Sequence, residues 1–110
     1  MKRLVEQILT LATKYGLKVV SIDATDITLI ARLEVLPATF IQIYRNSKKN
    51  KLNLTLVLGN NRVYGFDSEG GMTHEHPFEN PQSHVSCEKA PNVEEFILQC
   101  LDLLEDKGLI

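Results

Sequence analysis

Four side chains suited to chemistry lie in one stretch of the sequence: Asp67, His74, His76 and His84, the last three being all the histidines of the chain. Residues two apart point to the same side of an extended segment, so His74 and His76 can offer both imidazoles to one metal ion. Neutral histidine is the most common metal ligand near neutral pH, and Asp67, Glu79 or His84 could complete the set. The spacing of His74, His76 and Glu79 partly matches the cupin metal motif, but no second motif follows. We therefore assign no metal ligands and expect no cofactor.

Proton transfer is the second chemistry that these side chains offer. Imidazoles exchange protons readily near neutral pH, so two of them on one face can serve as base and acid, as phosphodiester cleavage requires. Asp67, at the end of a strand, could orient one imidazole. We predict Asp67, His74, His76 and His84 as the catalytic residues of a metal-independent RNA-cleaving arrangement. The alternative is that the histidines only stabilise a polar, proline-containing loop.

Basic residues near such a site would hold the phosphate backbone of an RNA. The densest basic cluster runs from Arg45 to Lys51, in a polar stretch that is typical of an exposed hairpin turn. We predict Arg45, Lys48, Lys49 and Arg62 as phosphate-binding residues. The alternatives are a solvated turn for the hairpin lysines and ordinary strand packing for Arg62.

Composition and charge indicate one soluble globular domain over residues 1–110. Hydrophobic residues make up 44% and charged residues 24%, close to globular averages, and the net charge of −2 provides no general attraction to nucleic acid or to a membrane. Any contact with RNA must then be local, and we expect no membrane contact. The two cysteines are too few for a disulfide scaffold, which favours reduced thiols and a cytoplasmic location.

The periodicity of apolar residues predicts the elements that position these side chains. A helical pattern runs from Leu4 to Tyr15 and ends at Gly16, and a second helix begins at Asn92, where Glu95 would complete a capping box. Alternation predicts strands near residues 17–22, 27–35, 40–44, 52–58 and 62–67, with a loose connection from residue 68 to 91. The fold class is α+β: an antiparallel meander of about five strands, packed on one face by an N-terminal and a C-terminal helix.

The closing hairpin and the histidines after it carry a family resemblance. Residues 64–67 followed by residues 74–78 resemble the TumE-like proteins, described as toxin components of bacterial and archaeal toxin–antitoxin pairs. Phe66 and Asp67 match the aromatic–aspartate step of that family, and His74, His76 and His84 match its histidine cluster. Ser68 stands where the family has asparagine, and the histidines are spread out rather than adjacent. The similarity covers roughly residues 25–88.

The resemblance implies a cytoplasmic toxin that acts with a cognate antitoxin protein, and RNA as the target is our extension from the chemistry above. Two alternatives come from the residues themselves. One is a non-enzymatic binding or regulatory module, a homodimer through apolar residues on the solvent face of the sheet: Ile30, Phe40, Tyr44 and Val57. The other is a small metal-binding enzyme. The residues alone leave open whether the protein is an enzyme.

Overall fold

A seven-stranded antiparallel sheet forms the centre of the protein. The computed structural model describes residues 1–110, and the strands follow one another in space in chain order. The elements are α1 (Lys2–Tyr15), β1 (Lys18–Ala24), β2 (Thr28–Leu36), β3 (Thr39–Asn46), β4 (Lys51–Leu58), β5 (Asn61–Glu69), β6 (Met72–His76), β7 (Val85–Cys87) and α2 (Val93–Asp106). The predicted α+β class and the antiparallel meander are confirmed.

Both helices have the termini that their sequences predict. The chain leaves α1 through Gly16 with a φ of 67°, a left-handed conformation that glycine adopts without a steric cost. At the start of α2, the Asn92 side chain accepts a hydrogen bond from the Glu95 amide, and the Glu95 carboxylate accepts one from the Asn92 amide. Neither helix is long and apolar enough to cross a membrane.

The hydrophobic core lies between the helices and one face of the sheet. It combines buried residues of α1 and α2, among them Ile8 and Phe96, with inward-facing residues of β2 to β5 such as Ile43 and Leu54. The helices flank the sheet differently from the predicted arrangement: α1 packs against β1, whereas α2 packs over β3 and β4. The helices meet where Lys14 forms an ion pair with Glu94.

The sheet has seven strands rather than the predicted five or so, because the connection after Asp67 contains two more. Gly70 and Gly71 have φ values of 59° and 91° and form the turn of a hairpin between β5 and β6. Strand β6 carries threonine, histidine and glutamate rather than alternating apolar residues, and β7 has only three residues. Since neither strand buries an apolar stripe, hydrophobic periodicity gave no signal for them.

The face of the sheet opposite the core, which we call the outer face, carries the predicted site. Cross-strand partners point to the same side, so Asn53 and its partner Asp67 lie on the outer face, next to the inward-facing Leu54. His74, the partner of Asp67 on β6, lies there as well. No helix residue lines the clefts of this face.

The apolar part of the outer face is smaller than the sequence suggests. The guanidinium of Arg32 lies 4.4 Å from the centre of the Phe40 ring and covers it. Val57 is buried, whereas Ile30 remains 38% exposed.

Candidate functional site

Three of the four predicted catalytic residues, Asp67, His76 and His84, line a cleft on the outer face of β4, β5 and β6. Its volume is about 230 Å³, and it is closed on one side by the segment between β6 and β7. The residues that line it are mostly polar: Thr55, Arg62, Tyr64, Gly65, Asp67, His76, Pro81, Gln82 and His84.

A direct contact between His76 and Asp67 forms the base of the site. Nε2 of His76 lies 2.8 Å from Oδ2 of Asp67, and the His76 side chain is 14% exposed. The two residues are not cross-strand partners: Asp67 pairs with His74, and His76 pairs with Gly65. The contact therefore runs diagonally across the strand pair, a distance that long side chains can span.

Gly65 permits a close approach of β5 to β4 beside the cleft, and sequence reasoning missed its role. It is the cross-strand partner of His76 and lines the cleft. A Cβ at this position would lie 2.3 Å from the carbonyl oxygen of Leu54, closer than a Cβ can lie. A glycine inside a strand pattern is the signal that could have identified it, because such glycines often mark a close approach of backbone or ligand.

The second ring nitrogen of His76 is also held. Nδ1 lies 3.0 Å from the carbonyl oxygen of Pro81, so both nitrogens of this imidazole face acceptors. Two successive turns shape the segment that carries this carbonyl: the amide of Asn80 donates to Pro77 O, and the amide of Ser83 donates to Asn80 O. His76 is thereby fixed in position and orientation.

The same turns bring His84 back over the cleft. Its ring centre lies 4.5 Å from that of His76, with the rings at 70° to each other. Asp67, His76 and His84 each present one possible metal-ligand atom, and these atoms all lie within 4.8 Å of one another. Because His84 is exposed, its ring can adjust to a bound group.

His74 is the predicted catalytic residue that lies apart from this group. Its ring centre is 5.9 Å from that of His84, and it has no hydrogen-bond partner. It lines a neighbouring cleft together with Asp67 and Lys51. His74 and His76 point to the same side of an extended segment, as predicted, but only His76 contacts the Asp67 carboxylate.

Two acceptor atoms at the site have no partner. Oδ1 of Asp67 and Oδ1 of Asn53 are both buried and accept no hydrogen bond, and their residues are cross-strand partners. A buried acceptor without a partner costs about 1–3 kcal/mol, so such atoms in a cleft indicate where a donor or a cation can bind.

Comparisons with protein-family models, curated proteins and solved structures gave no match. The relation to the TumE-like proteins therefore stays a prediction that rests on the residues quoted above.

The predicted phosphate-binding residues fall in different places. Arg62 is exposed, forms no ion pair and lines the cleft beside His76 and His84. The Arg45 guanidinium instead donates to the carbonyl oxygens of Asn46 and Lys51, at 3.4 and 3.1 Å, and so closes its own turn. Lys48 and Lys49 are exposed in that turn and line neither cleft next to the histidines.

Tyr64 borders the cleft, but its ring belongs to the core side of the sheet. The ring stacks on Phe96 at a centroid distance of 5.7 Å, and its hydroxyl donates to Oε1 of Gln99 at 3.0 Å. Burial, with a smaller contribution from the charge of Glu75, raises the pKa of Tyr64 to about 12. The phenol therefore stays protonated at neutral pH and fixes β5 against α2.

Proposed function

We propose that this protein is a TumE-like toxin that acts on RNA in the cytoplasm, with Asp67, His76 and His84 as its reactive centre. The observation that carries the proposal is the convergence of these three side chains in one cleft that is open to solvent. The chain separates them by up to 17 positions, so their meeting is a property of the fold. Perturbed or partnerless polar groups gathered in a cleft are typical of functional sites.

Arg62 supports RNA as the substrate. A guanidinium without an acidic partner is suited to binding a phosphate through two parallel hydrogen bonds. Arg62 lines the same cleft as the three converging residues, so a phosphate held there would lie beside the imidazoles. Lys51 lines the adjoining cleft, but its ammonium lies 3.9 Å from the Glu69 carboxylate, so it adds little free positive charge. Because the net charge is −2, Arg62 must provide the local attraction for a phosphate.

The reaction that fits this arrangement is cleavage of the phosphodiester bond. An oxygen nucleophile loses its proton and forms a bond to phosphorus, the bond from phosphorus to the leaving ribose oxygen breaks, and that oxygen takes up a proton. The imidazoles of His76 and His84 line the same cleft as Arg62, whose guanidinium would neutralise charge on the phosphate oxygens.

Growth of cells that express the protein from an inducible promoter tests this proposal. We expect wild-type expression to arrest growth, and Asp67→Asn, His84→Ala and Arg62→Gln to relieve the arrest. Lys49→Ala is the matched control, since it removes a positive charge from the exposed turn without touching the cleft. Co-expression of a small protein encoded beside the gene should restore growth if it is the antitoxin.

Purified protein incubated with single-stranded RNA gives the direct measurement, with cleavage expected from wild type and lost in the same variants. Absence of both growth arrest and RNA cleavage in the wild type would refute the proposed function. Cleavage that persists in Asp67→Asn and His84→Ala would refute the assigned site.

The alternative of a non-enzymatic, homodimeric binding module is favoured by the apolar residues of the outer face. Ile30 is exposed there, but Phe40 is covered by Arg32 and Val57 is buried. Size-exclusion chromatography with light scattering tests this alternative. If the protein is such a module, the wild type should be a dimer and the Ile30→Lys variant should be a monomer.

A further inference from the structure

Both ring nitrogens of His76 lie next to oxygen atoms that accept. Nδ1 faces the carbonyl of Pro81 at 3.0 Å, and Nε2 faces the carboxylate of Asp67 at 2.8 Å. A carbonyl oxygen accepts only, so Nδ1 donates to Pro81. Between Nε2 and the carboxylate oxygen there is then a place for one cation, which is either a second proton on the ring or a metal ion.

Nδ1 of His76 faces a backbone carbonyl, which is a typical partner for the second ring nitrogen of a metal-binding histidine. Histidines that bind metals almost always donate their other ring N–H to a carboxylate, a water or a backbone carbonyl, which fixes the tautomer and aims the free lone pair at the ion. The carbonyl of Pro81, 3.0 Å from Nδ1, has this role for His76.

The carboxylate of Asp67 has a second oxygen that accepts no hydrogen bond. Its Oδ2 meets His76, but its Oδ1 is buried without any hydrogen bond. An ion bound between the two residues, or a water on that ion, would satisfy this atom. This oxygen is a second acceptor of the same carboxylate that the contact with His76 leaves unused.

His84 supplies a third candidate ligand from the segment between β6 and β7. The three candidate ligand atoms lie within 4.8 Å of one another, and ligands of one ion lie closer than that because each is about 2.0–2.2 Å from the metal. The difference requires a small rotation of His84, which is exposed and has no hydrogen bond holding its ring.

We propose that Asp67, His76 and His84 bind one divalent transition-metal ion. Two imidazoles and one carboxylate favour zinc, iron, cobalt, nickel or manganese over magnesium and calcium, which prefer oxygen ligands throughout. The cleft leaves the remaining coordination positions open, next to Arg62. Only the role of the ion rests on the proposed function: a metal lowers the pKa of a bound water and so generates a nucleophile for phosphodiester cleavage. Binding itself does not depend on that function.

The test uses the untagged full-length protein after dialysis against a chelator, with Co²⁺ as a spectroscopic probe and Zn²⁺ for calorimetry. We expect one equivalent to bind, with the visible absorption of Co²⁺ in a nitrogen–oxygen site. Asp67→Ala and His84→Ala should weaken binding about tenfold or more, since even lost outer-shell partners cost that much. His74→Ala is the matched control, because it removes a neighbouring histidine outside the ligand set and should bind as tightly as wild type.

Absence of binding to the wild type would overturn the proposal. So would a His84→Ala variant that binds like the wild type, or a His74→Ala variant that loses the ion. His84 is exposed, so its substitution should leave the fold intact, and circular dichroism verifies this. Metal binding without toxicity or RNA cleavage would support the metal site and refute the proposed function. RNA cleavage by a protein that binds no metal would support the proposed function and refute the metal site.

Discussion

His76 and Asp67 touch diagonally across the β5–β6 pair, with Nε2 and Oδ2 2.8 Å apart, although the register pairs Asp67 with His74. The direct cross-strand neighbour of the carboxylate thus makes no hydrogen bond to it, and the more distant histidine does. Of the two histidines that β6 places on the outer face, only His76 contacts Asp67, which leads to a direct comparison between them.

We expect His76→Ala to lower the free energy of unfolding by about 1–3 kcal/mol, because it leaves the Asp67 carboxylate and the Pro81 carbonyl without a donor. His74 has no hydrogen bond, so His74→Ala should cost less than about 1 kcal/mol. Urea unfolding of chelator-treated proteins followed by circular dichroism gives both values. Equal losses in the two variants would contradict the selective contact.

Gly65 is expected to tolerate no larger side chain. A Cβ would lie 2.3 Å from the carbonyl oxygen of Leu54, so Gly65→Ala must shift β5 away from β4, at a cost of about 1–3 kcal/mol or more. The shift would also move the floor of the cleft beneath His76. Thermal unfolding measures the cost, and Asn61→Ala, an exposed position on the same strand away from this contact, is the control. A Gly65→Ala protein as stable as wild type would show that the strands can part at no cost.

The ion pair between the helices predicts a pH dependence of stability. Glu94 accepts hydrogen bonds from Lys14 and Tyr15, which lower the pKa of its carboxyl below the ordinary value of 4.5. The ion pair contributes fully to the free energy of unfolding above pH 4.5. This contribution is lost as the pH falls through the lower pKa that Glu94 has in the folded protein. Glu94→Gln should therefore flatten the fall in stability below about pH 4.5, and more so at low salt because the pair is exposed. Urea midpoints measured from about pH 6 to about pH 3 test it. A curve that is unchanged by the substitution would show that the pair contributes nothing.

The two cysteines should differ in their reaction with a thiol reagent. Cys100 is fully buried in α2, and burial raises the pKa of its thiol far above the usual range. Cys87, in β7, also has a raised pKa through burial, but it is only partly covered. At neutral pH, Cys87 should react slowly in the native protein, whereas Cys100 should react only after unfolding. Cys87→Ser should therefore remove the reaction of the native protein. Two native-state reactions of equal rate would contradict the packing of α2.

Local patterns in the sequence predicted most of the fold, because local forces decide those elements. The apolar stripes of α1 and α2, the glycine at residue 16 and the capping box at Asn92 are short-range features, and the structure has each of them. Alternation likewise predicted the strands from β1 to β5, which bury one face on the core. Strands β6 and β7 were missed because they are held in the sheet by backbone hydrogen bonds to a neighbouring strand. Such pairing produces no periodic pattern of apolar residues in the sequence.

The residue types at the site were readable from the sequence alone, since histidines this close to an aspartate are a chemical signal in themselves. Tertiary structure alone decided which of them meet. The register of β5 with β6 sets His74 opposite Asp67, His76 contacts the carboxylate diagonally, and the turns after Pro77 return His84 to the cleft. Strand pairing and turn geometry bring together residues distant in sequence, so these contacts exist only once the sheet has formed.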